Sequence, residues 1–246
     1  MYDKHLQKYT IKNSTAVLKE IQTYGVDHRT VMNFTPLMSA IYAGNTNLVH
    51  QILEMGPSLE LKDSLNRNPL QLAIFQTVFS EKNLAPMLAS IYHRIALDSI
   101  SLNIDEHLVK IDASRAEYLL FNIVLTFYAY MICFQIKGYS IHWDMGFNAQ
   151  QLFQLVKNLP PSIWPDYRKK QSYLSSLLSR NEINSNYRPN RKLFKRLNRG
   201  YYIINPNLKI KTSSGWESTN PYALPLNVSD SSTDYIDKVT LWREWF

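Results

Sequence analysis

A short motif that returns after 33 residues constrains the N-terminal third of this chain more than any other feature. Thr35-Pro36-Leu37 is followed by Ala40, and Asn68-Pro69-Leu70 is followed by Ala73. Proline fits the first turn of a helix, where its missing N–H leaves no hydrogen bond unmade. A repeat of this period indicates stacked units that bury their apolar faces against one another.

The residues between the two copies keep the order of a helix pair. Gly44 separates two helical stretches, an apolar second helix follows at 48–53, and Gly56 and Asp63 lie in the connecting loop. This order resembles the ankyrin repeat. A weaker copy precedes it, with Leu18, Ile21 and Gly25 at the places of a second helix and its cap. The resemblance covers residues 14–95 and implies a surface that recognises a protein partner.

The remaining chain predicts helices more than sheets, since only seven residues are glycine. We expect a mostly α fold, in which the ankyrin-like helix pairs pack on a helical C-terminal domain with a small winged-helix-like β-hairpin. The expected domains are 1–95, 96–211 and an extended tail at 212–246 with an aromatic C-terminus. Residues 96–112 read as a polar connection with short helical or extended pieces, and Asn148 is a candidate N-cap with Gln151 three residues later.

The uncharged run at 118–136 has two interpretations. Its nineteen residues are just long enough for a transmembrane helix. The run also contains Asn122, Thr126, Gln135 and three tyrosines, which favours the buried central helix of a helical domain. We expect the buried helix, which would also supply the missing neighbour of the short repeat array. An integral membrane protein is therefore the less favoured interpretation.

Positive charge is concentrated in one segment. From Lys157 to Lys211 thirteen side chains are basic and two, Asp166 and Glu182, are acidic, which gives +11. The rest of the chain has 14 basic and 18 acidic side chains, a net charge of −4. Such segregation indicates a local anionic partner more than a general need for solubility.

The most basic part of this segment also carries a motif. Leu193, Phe194 and Leu197 fit one face of a short helix, Gly200 would end it, and residues 201–204 are β-prone. This order resembles the recognition helix and wing at the end of a winged-helix DNA-binding domain, over residues 190–206. The resemblance implies contacts with a nucleic-acid backbone from a set of six residues: Arg191, Lys192, Lys195, Arg196, Arg199 and, at the wing, Tyr201.

No linear motif for catalysis is present. The six histidines are scattered without metal-ligand spacing, and the phosphate-loop and nucleophile-elbow patterns are missing. Cys133 stands alone in an apolar run and reads as a packed side chain rather than a nucleophile. We therefore expect no catalytic residue, no metal and no cofactor. The polar N-terminus has no apolar signal core, so the expected location is cytoplasmic.

These features predict a non-enzymatic adaptor or regulator. It would bind a protein through the ankyrin-like surface and DNA or RNA through residues 166–211. Two alternatives belong to other classes: an ankyrin-containing bacterial effector delivered to a host cell to act on a host protein, and an enzyme whose site shows no linear motif. The basic segment itself has further interpretations, namely a solvated face without a ligand, a site for an acidic protein, or an anionic membrane surface.

Overall fold

The computed structural model describes residues 14–80, 83–136 and 146–219, which form two compact units. The first unit contains the described residues up to Ala96 together with 129–136. The second contains Leu97–Tyr128 and residues 146–219. The expected tail beyond residue 219, with its aromatic C-terminus, lies outside the described residues.

Helices make up the first unit. In the described residues they are α1 (Ser14–Tyr24), α2 (Pro36–Ala43), α3 (Thr46–Leu53), α4 (Pro69–Phe79), α5 (Ala85–Ile95) and the last part of α6 (Ala116–Ile136). Helix α2 packs against α3 and α4, and α5 packs against α4 and α3. Two helix pairs, α2–α3 and α4–α5, therefore lie side by side, with first helix against first helix and second against second.

Both copies of the proline motif begin a helix where the sequence predicts one. The Thr35 hydroxyl accepts a hydrogen bond from the amide of Met38 at 3.3 Å. Asn68 and Gln71 cap each other's backbone amides at 2.9 and 3.0 Å, which satisfies two amide donors at the start of α4. Gly44 follows α2 at φ +73°, a left-handed conformation that glycine adopts without steric cost. These helix starts are confirmed.

The loops that precede the two helix pairs bond to each other. The Asp27 carboxylate accepts from the amide of Ser58 at 3.0 Å, across 31 residues. The Arg29 guanidinium donates to the carbonyl oxygen of Lys62 at 3.2 Å, across 33 residues. One separation equals the 33-residue spacing of the proline motif and the other is two residues shorter, so the loop before α2 lies next to the loop before α4.

A buried ion pair closes the second of these loops. Asp63 and Arg67 are 5% and 1% exposed, and Arg67 Nη2 lies 2.7 Å from Asp63 Oδ2. The other carboxylate oxygen accepts from the amides of Leu65 and Arg67, both at 2.9 Å. The guanidinium carbon lies 4.4 Å from the centre of the Phe75 ring. The loop is thus held to the start of α4 by charge, hydrogen bonds and a cation–π contact.

Helix α6 contributes to both units. In its first part Tyr118, Leu120 and Val124 are at most 1% exposed, so the expectation of a buried helix is confirmed for this part. In its last part the Tyr130 ring stacks on Phe79 of α4 with centroids 3.8 Å apart. None of the helices formed by the described residues has the length and apolar character needed to span a membrane.

The second unit contains two antiparallel sheets, and this corrects the expected fold class. Its strands are β1 (Ser99–Ile104), β2 (His107–Asp112), β3 (Phe147–Asn148), β4 (Phe194–Asn198), β5 (Tyr201–Ile204), β6 (Leu208–Thr212) and β7 (Gly215–Ser218). The orders are β2-β1-β6-β7 and β3-β5-β4. The described part of the chain is therefore mixed α/β, and the mostly α prediction is wrong.

The scarcity of glycine misled that prediction because few glycines are needed: Gly200 lies in the β4–β5 turn, whereas the β1–β2 hairpin turns without glycine. The β1–β2 hairpin turns at Asp105 and Glu106, whose φ angles are +49° and +70°. Aspartate tolerates this left-handed region better than most side chains. Residues 99–112, expected to be a polar connection, therefore form a regular hairpin. Strand β7 likewise continues the four-stranded sheet past residue 211, where the sequence suggested the start of a tail.

The three-stranded sheet has an aromatic core. Phe147 of β3 is fully buried, and its ring centroid lies 5.8 Å from that of Phe194 and 6.1 Å from that of Tyr128. After β3 the chain enters α7 (Ala149–Val156), where Asn148 and Gln151 form the predicted capping box at 2.9 Å in both directions. Helix α8 (Gln171–Arg180) packs against α7.

A buried tyrosine in α5 gives the first unit a testable pH dependence. Burial raises the pKa of Tyr92 from 10.0 to about 12. The unfolded chain releases this proton near pH 10 and the folded chain only near pH 12, so the stabilisation is complete below pH 10 and is lost as the pH rises to 12. Two pKa units correspond to about 2.7 kcal/mol. Relative to Tyr92→Phe, the wild type should lose about 2–3 kcal/mol across this window in urea unfolding.

The matched control is Tyr24→Phe, because Tyr24 is 69% exposed. That variant should follow the wild-type pH profile throughout. A Tyr92→Phe profile parallel to the wild type between pH 10 and pH 12 would show that Tyr92 ionises equally in the folded and unfolded chain.

Candidate nucleic-acid interface

The six predicted contact residues lie close together in the sequence on a loop and a β-hairpin. We define the basic hairpin region as residues 188–201, comprising the loop before β4, strand β4 and the turn into β5. Arg191 and Lys192 lie in the loop, Lys195 and Arg196 on β4, Arg199 in the turn and Tyr201 at the start of β5. Arg191 is partly buried, and the other five are exposed.

The strand at 194–198 corrects the expected recognition helix. The spacing of Leu193, Phe194 and Leu197 fits a helix, but Phe194 pairs with Ile204 and Arg196 with Tyr202 in an antiparallel hairpin. Leu193 and Phe194 are buried, whereas Leu197 is 38% exposed and does not continue an apolar face. Pairing with the β-prone run at 201–204, which is a strand as predicted, decides the conformation. The winged-helix order is therefore not formed at this place.

The cations of β4 point to opposite sides of the hairpin. Lys195 is paired with Ile203 on one side, and Arg196 with Tyr202 on the other. Arg196 donates from Nη2 to the Tyr202 hydroxyl at 2.9 Å, and its guanidinium carbon lies 5.2 Å from the ring centre. Lys195 is exposed without such an anchor among the described residues. Each side of β4 therefore carries one of these cations. Strand β4 is also an edge strand of its sheet.

Three asparagine side chains fix the loop before β4. The Asn181 carbonyl oxygen accepts from the amide of Arg191 at 3.1 Å, and that of Asn190 accepts from the amide of Lys192 at 2.7 Å. The Asn205 amide group donates to the carbonyl oxygen of Lys192 at 2.9 Å. Lys192 is held at φ +52°, an uncommon conformation for a side chain of this size.

These asparagines were missed by the sequence analysis. Asn181 and Asn205 are 1% and 3% exposed, so they act from beneath the loop and not on a ligand. Their signal in the sequence is weak, because isolated asparagines at the ends of a helix and a strand are common. Only their positions on either side of the loop reveal that they orient Arg191 and Lys192.

The basic hairpin region and the sequence around it contain no acidic side chain. No aspartate or glutamate occurs from residue 183 to residue 216. Glu182, the nearest acidic residue in sequence, is 8% exposed and accepts a hydrogen bond from the amide of Asn184 at 3.2 Å. Within the described residues, no ion pair joins the cations of the basic hairpin region to a carboxylate. Exposed cations without internal partners can bind phosphate oxygens.

A metal site would require a different set of side chains. Over residues 14–80, 83–136 and 146–219 no group of three or more histidine, cysteine, aspartate or glutamate side chains could hold a metal ion.

Comparison of the chain with protein-family models, curated proteins and solved structures finds no match.

Proposed function

We propose that this protein is a non-enzymatic adaptor whose second unit binds nucleic acid through the basic hairpin region. The observation that carries the proposal is an exposed set of arginine and lysine side chains on an edge hairpin, with no acidic residue from 183 to 216. Phosphate contacts supply most of the affinity of such surfaces and need no particular base sequence.

The position of the hairpin supports the same proposal. Strand β4 lies at the edge of the three-stranded sheet, and its cations are exposed. Lys195 points away from the side that carries the buried Phe194 and Tyr202, so it would reach a phosphate of a nucleic acid laid against this edge. Arg199 extends from the turn, at the tip of the hairpin.

The first unit supports the adaptor part of the proposal. Its helix pairs lie side by side, and its loops bond to each other at separations of 31 and 33 residues. We propose that these are ankyrin-type repeats and that their exposed side binds a protein. Stacked repeats present extended surfaces of this kind and rarely provide reactive groups.

The test is a charge reversal at two exposed positions, Lys195→Glu with Arg199→Glu. Arg196 is left intact because its hydrogen bond to Tyr202 contributes to the hairpin. We expect the double variant to bind a duplex at least about ten-fold more weakly at low salt, with a salt dependence shallower by about two phosphate contacts. Fluorescence anisotropy with a labelled duplex at several salt concentrations measures both quantities.

The matched control reverses two exposed lysines outside the region, Lys19→Glu with Lys157→Glu. It changes the net charge by the same amount, so it separates a local contact from a general charge effect. Equal weakening by both double variants would contradict a site at the hairpin. A wild-type chain that binds no duplex or single strand at low salt would refute nucleic-acid binding altogether.

A further inference from the structure

The four-stranded sheet has one buried side and one side facing solvent. On the buried side Leu102, Ile104, Ile111 and Leu208 are at most 1% exposed. Residues that alternate with these point the other way. We define the outer face as the side chains that point away from this core, which are Ser99, Ser101, Asn103, Leu108, Lys110, Asp112, Lys209, Lys211, Trp216 and Ser218.

Backbone pairing places eight of these residues in two adjacent rows across the sheet. In the first row Leu108 pairs with Asn103, Asn103 with Lys209, and Lys209 with Ser218. The second row lies two residues further along each strand. It contains the pairs Lys110–Ser101 and Lys211–Trp216.

Two large apolar side chains on this face are exposed. Leu108 is 74% exposed and Trp216 is 40% exposed. The Lys211 ammonium lies 5.4 Å from the centre of the Trp216 indole, which orients the ring against the neighbouring strand. An exposed tryptophan beside a lysine can stack on a base while the lysine binds the adjoining phosphate.

The charge on the outer face also favours an anionic ligand. Lys110, Lys209 and Lys211 are exposed, and the acidic residue on the same side is Asp112, paired with Ser99 at the end of β2. Glu217 points to the other side of the sheet, since it pairs with Ile210, and it accepts hydrogen bonds from Thr212 and Ser214 at 2.8 Å. Three lysines therefore face the ligand side against one aspartate.

We propose that the outer face binds single-stranded nucleic acid, with a base stacked on Trp216 and phosphates at Lys211 and Lys209. A base can stack in this way only when it is unpaired, so the face selects a single strand over a duplex. The inference goes beyond the proposed function, because it assigns a second nucleic-acid site with its own ligand class. This site lies on a different sheet from the basic hairpin region, so the two can be tested separately.

The experiment compares Trp216→Ala with Trp216→Phe in the full chain. Labelled oligothymidylate, oligouridylate and a duplex, each of about 20 units, exceed the length that such a surface covers. Trp216→Ala should weaken single-strand binding by about ten-fold and change duplex binding by less than about two-fold. Trp216→Phe retains an aromatic ring and should recover most of the affinity. The thymidylate and uridylate arms show whether DNA or RNA is preferred.

The matched control is Tyr24→Ala, which removes an aromatic side chain that is 69% exposed and lies in α1 of the first unit. It should bind like the wild type. Unchanged single-strand affinity in Trp216→Ala, or an equal loss for duplex and single strand, would overturn the inference and leave the hairpin proposal standing. If the hairpin double variant keeps full affinity while Trp216→Ala loses it, the hairpin proposal fails instead. A wild-type chain that binds none of the three probes refutes both.

Discussion

Replacing Asp63 with alanine is expected to lower the free energy of unfolding of the first unit by about 3–5 kcal/mol. The substitution leaves the Arg67 guanidinium buried without its counter-ion, since Arg67 is 1% exposed. It also removes the oxygen that accepts from the amides of Leu65 and Arg67. Buried amides without acceptors add about 1–3 kcal/mol each, which places the result at the upper end of the range.

Urea unfolding followed by far-UV circular dichroism measures this loss. Asp63→Asn keeps an oxygen that can accept from the loop amides, so it should lose less than Asp63→Ala. In Asp63→Asn with Arg67→Met, the buried cation is replaced by an apolar side chain that can still contact Phe75. This double variant should recover part of the stability lost by Asp63→Asn. A double variant that is less stable than both single variants would contradict the account of an uncompensated charge.

Replacing Gly146 with alanine is expected to cost the second unit about 3 kcal/mol or more. Gly146 has φ +65°, and a Cβ built there would lie 2.5 Å from the carbonyl oxygen of Tyr202 and 3.1 Å from a methyl carbon of Leu197. The carbonyl belongs to the backbone of β5, the central strand of its sheet, so it cannot move away as a flexible side chain would. Relief of the clash would displace β3 and with it the buried Phe147.

Gly200→Ala provides the matched comparison. Gly200 has φ +86°, but a Cβ there meets no atom within 4 Å. That variant should lose only the conformational contribution of a left-handed residue, about 1–2 kcal/mol. Tryptophan fluorescence during urea unfolding can compare the two variants, since Trp164 is buried in this unit. Equal losses at the two glycines would show that the chain at Gly146 does not approach β5 closely.

The helix starts of the first unit could be predicted from the sequence because short-range interactions determine them. Within a helix, Pro36 and Pro69 fit only the first turn, and the preceding Thr35 and Asn68 supply the caps. Each of these interactions joins residues no more than three positions apart, so the local sequence determines them. The hydrogen bonds between the two loops, from Ser58 to Asp27 and from Arg29 to Lys62, join residues about 30 positions apart, and only the spacing of the motif suggested that these loops are neighbours.

The second unit was less readable because its hydrogen bonds join distant parts of the chain. The run around Phe194 has an apolar spacing that suits either a helix or a strand. Strand β1 pairs with β6 about a hundred residues later in the chain, and no local pattern in residues 96–112 predicts this pairing. The turn at Asp105 and Glu106 also lacks the glycine by which hairpins are usually recognised.

In the candidate sites, too, some features follow from the local sequence and others from long-range pairing. The sequence by itself determined where the positive charge is concentrated and where the first helices begin, because composition and capping depend on neighbouring residues alone. The tertiary structure decided that Lys195 and Arg196 lie on opposite sides of an edge strand, and that Asn181 and Asn205 support the loop beside them. It also brought Lys110 onto the same sheet face as Lys211 and Trp216. Only the pairing of backbone amides and carbonyls between remote strands could set that arrangement.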